Sequence, residues 1–464
     1  MRRTWGILII ALAFLLAYPF AYQRIPFLNE HFTSFNLLNG VMDKKEAKKL
    51  IENGIVDLEP TTIGTEVEID TTTGDTLPPP PPLLESPTID TAKVYTLLFR
   101  FFQALEKAEK KEGQARIFYF GDSMIEGDLI TQTLRNHLQK RFGGEGVGWV
   151  PIASQTASFR RSVVHTFSDQ IPTYSLFKGK HKTFTFGISG EVFPIRADSS
   201  TPWVRYVTSK MYATLDTFPS ARFFYQPILG ENQPSSGYLK TKWGNIDLPN
   251  KDTVSSVWLT QQPTKAVTAE FHLKRPIGAY GMSLESNNGV ILDNFSIRGT
   301  NGITLLQIPG STMRGFNRLL QPSLIVLQYG LNLAEPNRTN YEGYRIQLEK
   351  VIRHLQKNCP QSSILVIGVA DKGGKVDGEL TTETCIPYIL DAQRRAAMHC
   401  GVAFFSLYDA MGGEGSMVRW VKEEQPALAN LDFTHVNGLG AAKIAGFIHR
   451  FLTEGYQQYL ERNP

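Results

Sequence analysis

The chain has few cysteines, no block of like charge and, past its N-terminal segment, no long apolar run. Three Cys in 464 residues, an odd number, exclude a disulfide framework as the source of stability. Cys359, Cys385 and Cys400 read as buried or free thiols, and Cys359 and Cys400 each lie just before an apolar strand-like run. The net charge of +4 is spread without a basic cluster, so there is no nucleic-acid footprint. No His/Glu/Cys group has metal-ligand spacing, and no P-loop-type Gly-rich run is present. Neither a metal nor a cofactor is implied. What is present is globular in character, with 42% hydrophobic and 20% charged residues. The length exceeds one ordinary core and points to two folded domains plus appendages.

The apolar run lies at the start. Arg2 and Arg3 precede Thr4 to Tyr22, and Gln23 and Arg24 follow. As a helix it would be ~28 Å long, close to the ~30 Å hydrocarbon core of a bilayer. The two Arg orient it with the N-terminus in the cytoplasm. Residues 1–24 thus read as an uncleaved inner-membrane anchor, with the bulk of the chain outside the cytoplasm, in the periplasm. A cleaved signal peptide, leaving a secreted protein, is the alternative; a cut after Ala21 would put Pro19 at the small-residue position. Residues 25–90 read as a linker with a short helical candidate, Lys44 to Glu52. From Asp57 it turns rich in Thr and acidic residues, with the run Pro78 to Pro82, and cannot bury a core. Fully extended it reaches up to ~100 Å, at ~3.1 Å per residue.

A helix is expected from Thr91 to Lys111. Then comes the stretch around which the chain is organised, Phe120-Gly121-Asp122-Ser123-Met124-Ile125-Glu126-Gly127-Asp128. An apolar strand, Arg116 to Phe120, breaks at Gly121 and leads into a helical pattern, Leu129 to Phe142. Such a turn lies at the C-terminal edge of a sheet, where ligands of open α/β sheets bind. Ser123 is a candidate nucleophile near a helix N-terminus. The plain alternative is that Ser123 only caps the next helix, with Asp122 as a turn residue.

Residues 143–286 differ in character. Short alternating runs, at 162–167, 182–186, 203–207, 222–225, 256–259 and 269–273, are separated by turn residues. They suggest an inserted antiparallel sandwich or jelly roll without helices. Afterwards near-continuous apolar runs return at 290–295, 324–329, 364–368 and 402–407, as expected of strands covered on both faces. Helical stretches run from Tyr341 to Asn358, Glu383 to His399 and Leu439 to Leu460. The simplest assembly is a flavodoxin-like, doubly wound five-stranded parallel sheet from residues 91–142 and 287–464, with the β block inserted after its first βα unit.

Four segments then meet one sheet edge. They are Ser123 after the first strand, Gly299 after the second, Asn332 after the third, and the pair Asp432 and His435 before the last helix. An Asp three residues before a His can reach the ring, fix its tautomer and stabilise the imidazolium. The Gly-Asp-Ser turn, the later Gly, the Gly-x-Asn turn and the Asp-x-x-His pair resemble, in order, the four blocks of the SGNH (GDSL-type) hydrolases. The resemblance implies Ser123 as nucleophile, His435 as its base and Asp432 as orienter. It implies an oxyanion hole made of the Ser123 N–H, the Gly299 N–H and the Asn332 side chain, with Gly302 close enough to compete with Gly299. Leu333 stands where the family often has Asp. An SGNH domain interrupted after its first block by a β-sandwich resembles the peptidoglycan O-acetylesterases, whose insert looks like a carbohydrate-binding module. The implied activity is removal of O-acetyl groups from an envelope or extracellular polysaccharide. A polysaccharide O-acetyltransferase with the same triad and a non-catalytic glycan-binding scaffold are the other readings. Trp203, Tyr225, Trp243 and Trp258 are candidates to stack on sugar rings, though aromatics of this size more often fill a sandwich core.

Overall fold

The computed structural model describes residues 91–463 apart from 170, 199 and 231–233. The apolar run at Thr4–Tyr22, the helical candidate Lys44–Glu52 and the Thr/Pro-rich linker lie outside the described residues. Among the described residues no helix is long and apolar enough to cross a membrane.

A parallel five-stranded sheet is formed by β1 (Gln114–Gly121), β2 (Gly289–Ser296), β3 (Leu324–Gln328), β4 (Ser363–Ile367) and β5 (Ala403–Phe405). Its spatial order is β2-β1-β3-β4-β5. Every residue of β3 and β4 is buried, which explains why these strands read as continuous apolar runs. The sheet is doubly wound. Phe118 and Phe120 of β1 face one core and Ile117 and Tyr119 the other. The second core is closed by α1 (Phe99–Glu109), α2 (Thr131–Phe142) and, at the far end of the chain, Gly438–Arg462. The first is closed by α3 (Gly310–Leu320), α4 (Glu342–Asn358) and α5 (Ile386–Cys400). The C-terminal helix is α6.

Three local differences from the sequence reading have physical causes. The stretch from Thr91 divides into Thr91–Thr96 and α1. The segment after Gly299 holds α3, left unassigned although Met313, Phe316 and Leu320 share its buried face. The run 182–186 forms no strand: Phe184 and Phe186 are buried, but the Thr185 N–H donates to Gln226 Oε1 at 2.9 Å instead of a neighbouring strand.

The β block is two antiparallel sheets. One holds Val163–Phe167, Trp203–Thr208, Ala266–Leu273, Ser235–Thr241 and Gly244–Pro249, in that spatial order. The other holds Ser255–Thr260, Ser220–Gln226, Ile277–Glu285, Glu191–Ile195 and Tyr174–Ser175, with Gly148–Pro151 also on Ile277–Glu285. Among the described residues of the block the only helical element is one 3-10 turn, Ala213–Leu215. Their inner faces share a core. The second sheet has no free face. Trp149, Phe224 and Tyr280 on its other side join Phe295 of β2 and Phe316 of α3. The insert is therefore fused to the α/β core, because Ile277–Glu285 is buried along its whole length.

Candidate active site

Parallel register brings Gly121, Ser296 and Gln328 to one rim, since Gly121 lies opposite both partners. The chain leaves β1 there in a tight turn. Asp122 caps it: Oδ1 accepts the Met124 N–H at 3.0 Å. Ser123 opens a 3-10 turn, Ser123–Asp128, whose end bends through Gly127 and Asp128 at positive φ. The α-helix α2 starts only at Thr131. Two sequence expectations change here. The strand does not lead straight into a helix, so no α-helical N-terminus lies at Ser123. The capping role falls to Asp122, which leaves the Ser123 hydroxyl for other work.

That hydroxyl meets His435, with Oγ to Nε2 at 3.0 Å. The other ring nitrogen, Nδ1, donates to Asp432 Oδ2 at 2.8 Å. The loop holding the pair is locally over-determined. Asp432 Oδ1 accepts the N–H groups of Thr434 and His435, both at 3.0 Å. A bridge between Ala429 and Val436 closes the loop, and Phe433 takes a left-handed conformation at its tip. The Gly373 N–H holds the Phe433 carbonyl at 2.8 Å. Burial disfavours the Asp432 carboxylate, but these backbone donors and the imidazole outweigh it and hold its pKa below the ordinary value. The pair is half-exposed, with 44% and 50% of the His435 and Asp432 side chains accessible. An incoming substrate can therefore cover it.

Gly299 and Asn332 line the same pocket of about 630 Å³ as Ser123, Asp432 and His435. Gly302 does not; it caps the Ile303–Gln307 turn, and a side chain there would strike the Tyr329 ring. Gly299, at φ +78°, leaves its N–H with no hydrogen-bond partner among the described residues. Asn332 is more committed than a waiting donor would be. Its Nδ2 donates to Asp122 Oδ2 at 3.0 Å and to Thr300 O at 2.9 Å. The Asp122 carboxyl requires the NH₂ face of that amide, so the contact sets which way Asn332 points. Desolvation raises the Asp122 pKa to about 6, against the opposing pull of the Met124 N–H, His435 and Asn332.

The insert supplies part of the pocket, through Gln155, Thr156 and Phe159. Phe159 packs on Gly127, where any Cβ would collide with its ring. Next to it, Arg160 reaches Asp128 at 3.4 Å, and Asp128 is held by Arg135 at 2.6 Å. Glu126 of the Ser turn pairs with Arg298 of the loop after β2, at 2.5 Å. Sequence reading missed Phe159, Glu126 and Arg298. The adjacency of Arg298 to Gly299 was the available signal. Phe159 sits in an irregular loop that offers none. The aromatics singled out from sequence lie elsewhere. Tyr225 is fully buried core, Trp243 and Trp258 are half-buried against Lys242 and Arg222, and Trp203 is exposed but lines neither the Ser123 pocket nor the cleft beside it.

Chemically, the arrangement can take a proton from Ser123 Oγ as it attacks, hold the imidazolium against Asp432, and offer the Gly299 N–H to developing negative charge.

No family model and no curated protein matches the chain. Solved structures do. One, described as a peptidoglycan O-acetylesterase in action, superposes with a TM-score of 0.64 at 21% identity, over 77% of this chain and 96% of that one. A family two carbohydrate esterase from Cellvibrio japonicus is matched at 10% identity over 64% of this chain and 99% of that one, with a TM-score of 0.26. A GDSL-like lipase from Parabacteroides merdae is matched at 13% over 36% and 74%, also at 0.26. The last two overlap too loosely to add to the first. What the first superposition shows is a shared architecture: this chain has the fold of the SGNH (GDSL-type) hydrolases, carrying an inserted β domain.

Proposed function

We propose that the chain is a serine esterase that removes O-acetyl groups from a cell-envelope polysaccharide, peptidoglycan, by an acyl-enzyme mechanism. The observation that carries this is the connected series Ser123–His435–Asp432, at 3.0 and 2.8 Å, assembled in one pocket from segments far apart in sequence. Ser is a weak nucleophile unless a base adjoins it, and here the base adjoins it and is itself oriented. His435 takes the Ser123 proton as Oγ attacks the acetyl carbonyl and returns it to the sugar oxygen that leaves. Water then repeats the sequence on the acetyl-enzyme. The Ser123 and Gly299 N–H groups receive the oxyanion, and Asn332 joins by sharing one of its N–H groups. Support for the glycan comes from the fold shared with a peptidoglycan O-acetylesterase over most of both chains. The proposal places the enzyme outside the cytoplasm, held by the N-terminal apolar run.

The test is acetate release from O-acetylated peptidoglycan and from acetylated xylan by the full chain beside Ser123→Ala. Release from peptidoglycan is expected, with a fall on the order of 10⁴-fold or more in the variant. Equal release by the variant refutes Ser123 as nucleophile. Release from xylan alone moves the substrate, and acetyl transfer to an acceptor sugar without free acetate makes the enzyme a transferase.

A further inference from the structure

Beside the Ser123 pocket lies a second, more enclosed cavity at the seam between insert and α/β core. The two share Glu126, Gln155, Thr156 and Arg298 as a common wall. The second has a volume of about 130 Å³. The insert supplies its far side through Ser175, Phe177, Lys178, Ser189 and Glu191.

Two polar groups in this cavity have no hydrogen-bond partner among the described residues. Ser189 is 6% exposed, and its Oγ makes no hydrogen bond. The Glu191 carboxyl has neither a hydrogen bond nor an ion pair among the described residues, and the one charge acting on it is Lys178. Ser189 is buried and Glu191 partly so; a buried polar group is ordinarily satisfied, so the unpaired Ser189 hydroxyl beside the Glu191 carboxyl marks a place where a ligand's own polar groups complete the bonding. Of the cations lining the cavity, Arg298 is answered by Glu126 and Arg160 by Asp128, while Lys178 is exposed and acts on Glu191. With the Glu191 carboxyl in the lining, the cavity favours hydroxyl groups over a strong anion. Burial pushes the Glu191 carboxyl up to about 8, so at neutral pH it both donates and accepts, as a sugar hydroxyl does. Phe177, 53% exposed, lines this cavity and lies 3.3 Å from where a Gly299 Cβ would stand, so one aromatic face spans the step between the two pockets.

We propose that the seam cavity is a sugar subsite, which takes a pyranose ring of the same glycan chain next to the unit presented to Ser123, with Ser189 and Glu191 bonding its hydroxyls and Phe177 covering it. The assignment rests on the glycan-esterase reading, but its test does not use turnover.

Binding is measured by isothermal titration calorimetry on the full chain carrying Ser123→Ala. The probes are a tetramer of β-1,4-linked N-acetylglucosamine and xylotetraose, neither O-acetylated. Saturable binding of the N-acetylglucosamine tetramer is expected. Adding Glu191→Leu weakens it about tenfold or more, and adding Ser189→Ala, which introduces no volume, weakens it several-fold. An unchanged thermal midpoint shows that the fold persists in each. Failure of both tetramers to bind overturns the subsite, as does equal affinity in the two added variants. Binding of xylotetraose alone, with the same losses, upholds the subsite and redirects the substrate of the esterase. Loss of the esterase reading in the acetate assay leaves these outcomes readable.

Discussion

Asp122 shows how a residue beside the nucleophile can matter without touching substrate. It is 2% exposed, caps the turn at Met124 and holds the Asn332 amide. Its pKa rises from 3.8 to about 6 because desolvation outweighs those bonds. The folded state thus prefers the protonated acid. The stability this gives is complete below the unfolded pKa and is lost as pH rises through about 6. Asp122→Asn keeps an oxygen for the Met124 N–H, loses the acceptor for Asn332 and cannot ionise. Between pH 4 and 7 the difference in unfolding free energy between variant and parent should move in favour of the variant by on the order of 2 kcal/mol. Urea titrations at several pH values measure it, and parallel curves for the two proteins would contradict the assignment. In the sequence, Ser123 was the candidate for the cap and Asp122 a turn residue. In the structure Asp122 takes the cap, and the Ser123 hydroxyl meets His435 from the other end of the chain.

At the scale of elements, the His435 loop is only as well placed as the helix that follows it. Asn437 caps α6, with Oδ1 accepting the N–H groups of Leu439 and Gly440 at 2.9 and 3.2 Å. Its Nδ2 donates to Ala427 O, tying the helix start back to the segment before the loop. Asn437→Ala should cost about 1 kcal/mol, seen as a lower midpoint in chemical denaturation. It should also lower activity through a looser Ser123–His435 contact. Full activity at reduced stability would show that the loop holds itself. The strands of the parallel sheet and helices α4 to α6 were legible because each is long and of one period. The strands Gly148–Pro151, Glu191–Ile195 and Ser235–Thr241 were not. They are short, interrupted by Pro194 or Gly237, or polar, and they exist through ladder partners distant in sequence.

At the scale of the molecule, a buried ion network joins insert and core. Arg116 of β1 donates to Asp293 of β2 at 2.8 Å and to Glu285 at the end of the insert. Asp293 in turn accepts the Trp149 N–H at 2.9 Å. All three charged groups are at most 5% accessible. Removing one partner strands the other charges in low dielectric. Arg116→Leu should therefore destabilise by about 3–5 kcal/mol. Tryptophan fluorescence, which includes Trp149 of the insert, and far-ultraviolet dichroism should lose signal in one shared transition. Separate transitions would mean that insert and core are independent, against the core they share.

The apolar strand runs of the sheet, their coverage on both faces and the candidacy of Ser123, Asp432 and His435 were legible in the sequence alone. The runs rest on local period, and the candidate residues on short spacing and on the resemblance of their motifs to those of the SGNH hydrolases. Tertiary structure decided the rest: that Asp122 caps and Ser123 does not, that Gly299 and not Gly302 lines the pocket, that Asn332 is held by Asp122, and that Phe159 and Phe177 from the insert stand at the site. Those outcomes depend on which distant segments share a rim. Such proximity is created by parallel register and by a common core, which no local stretch of sequence contains.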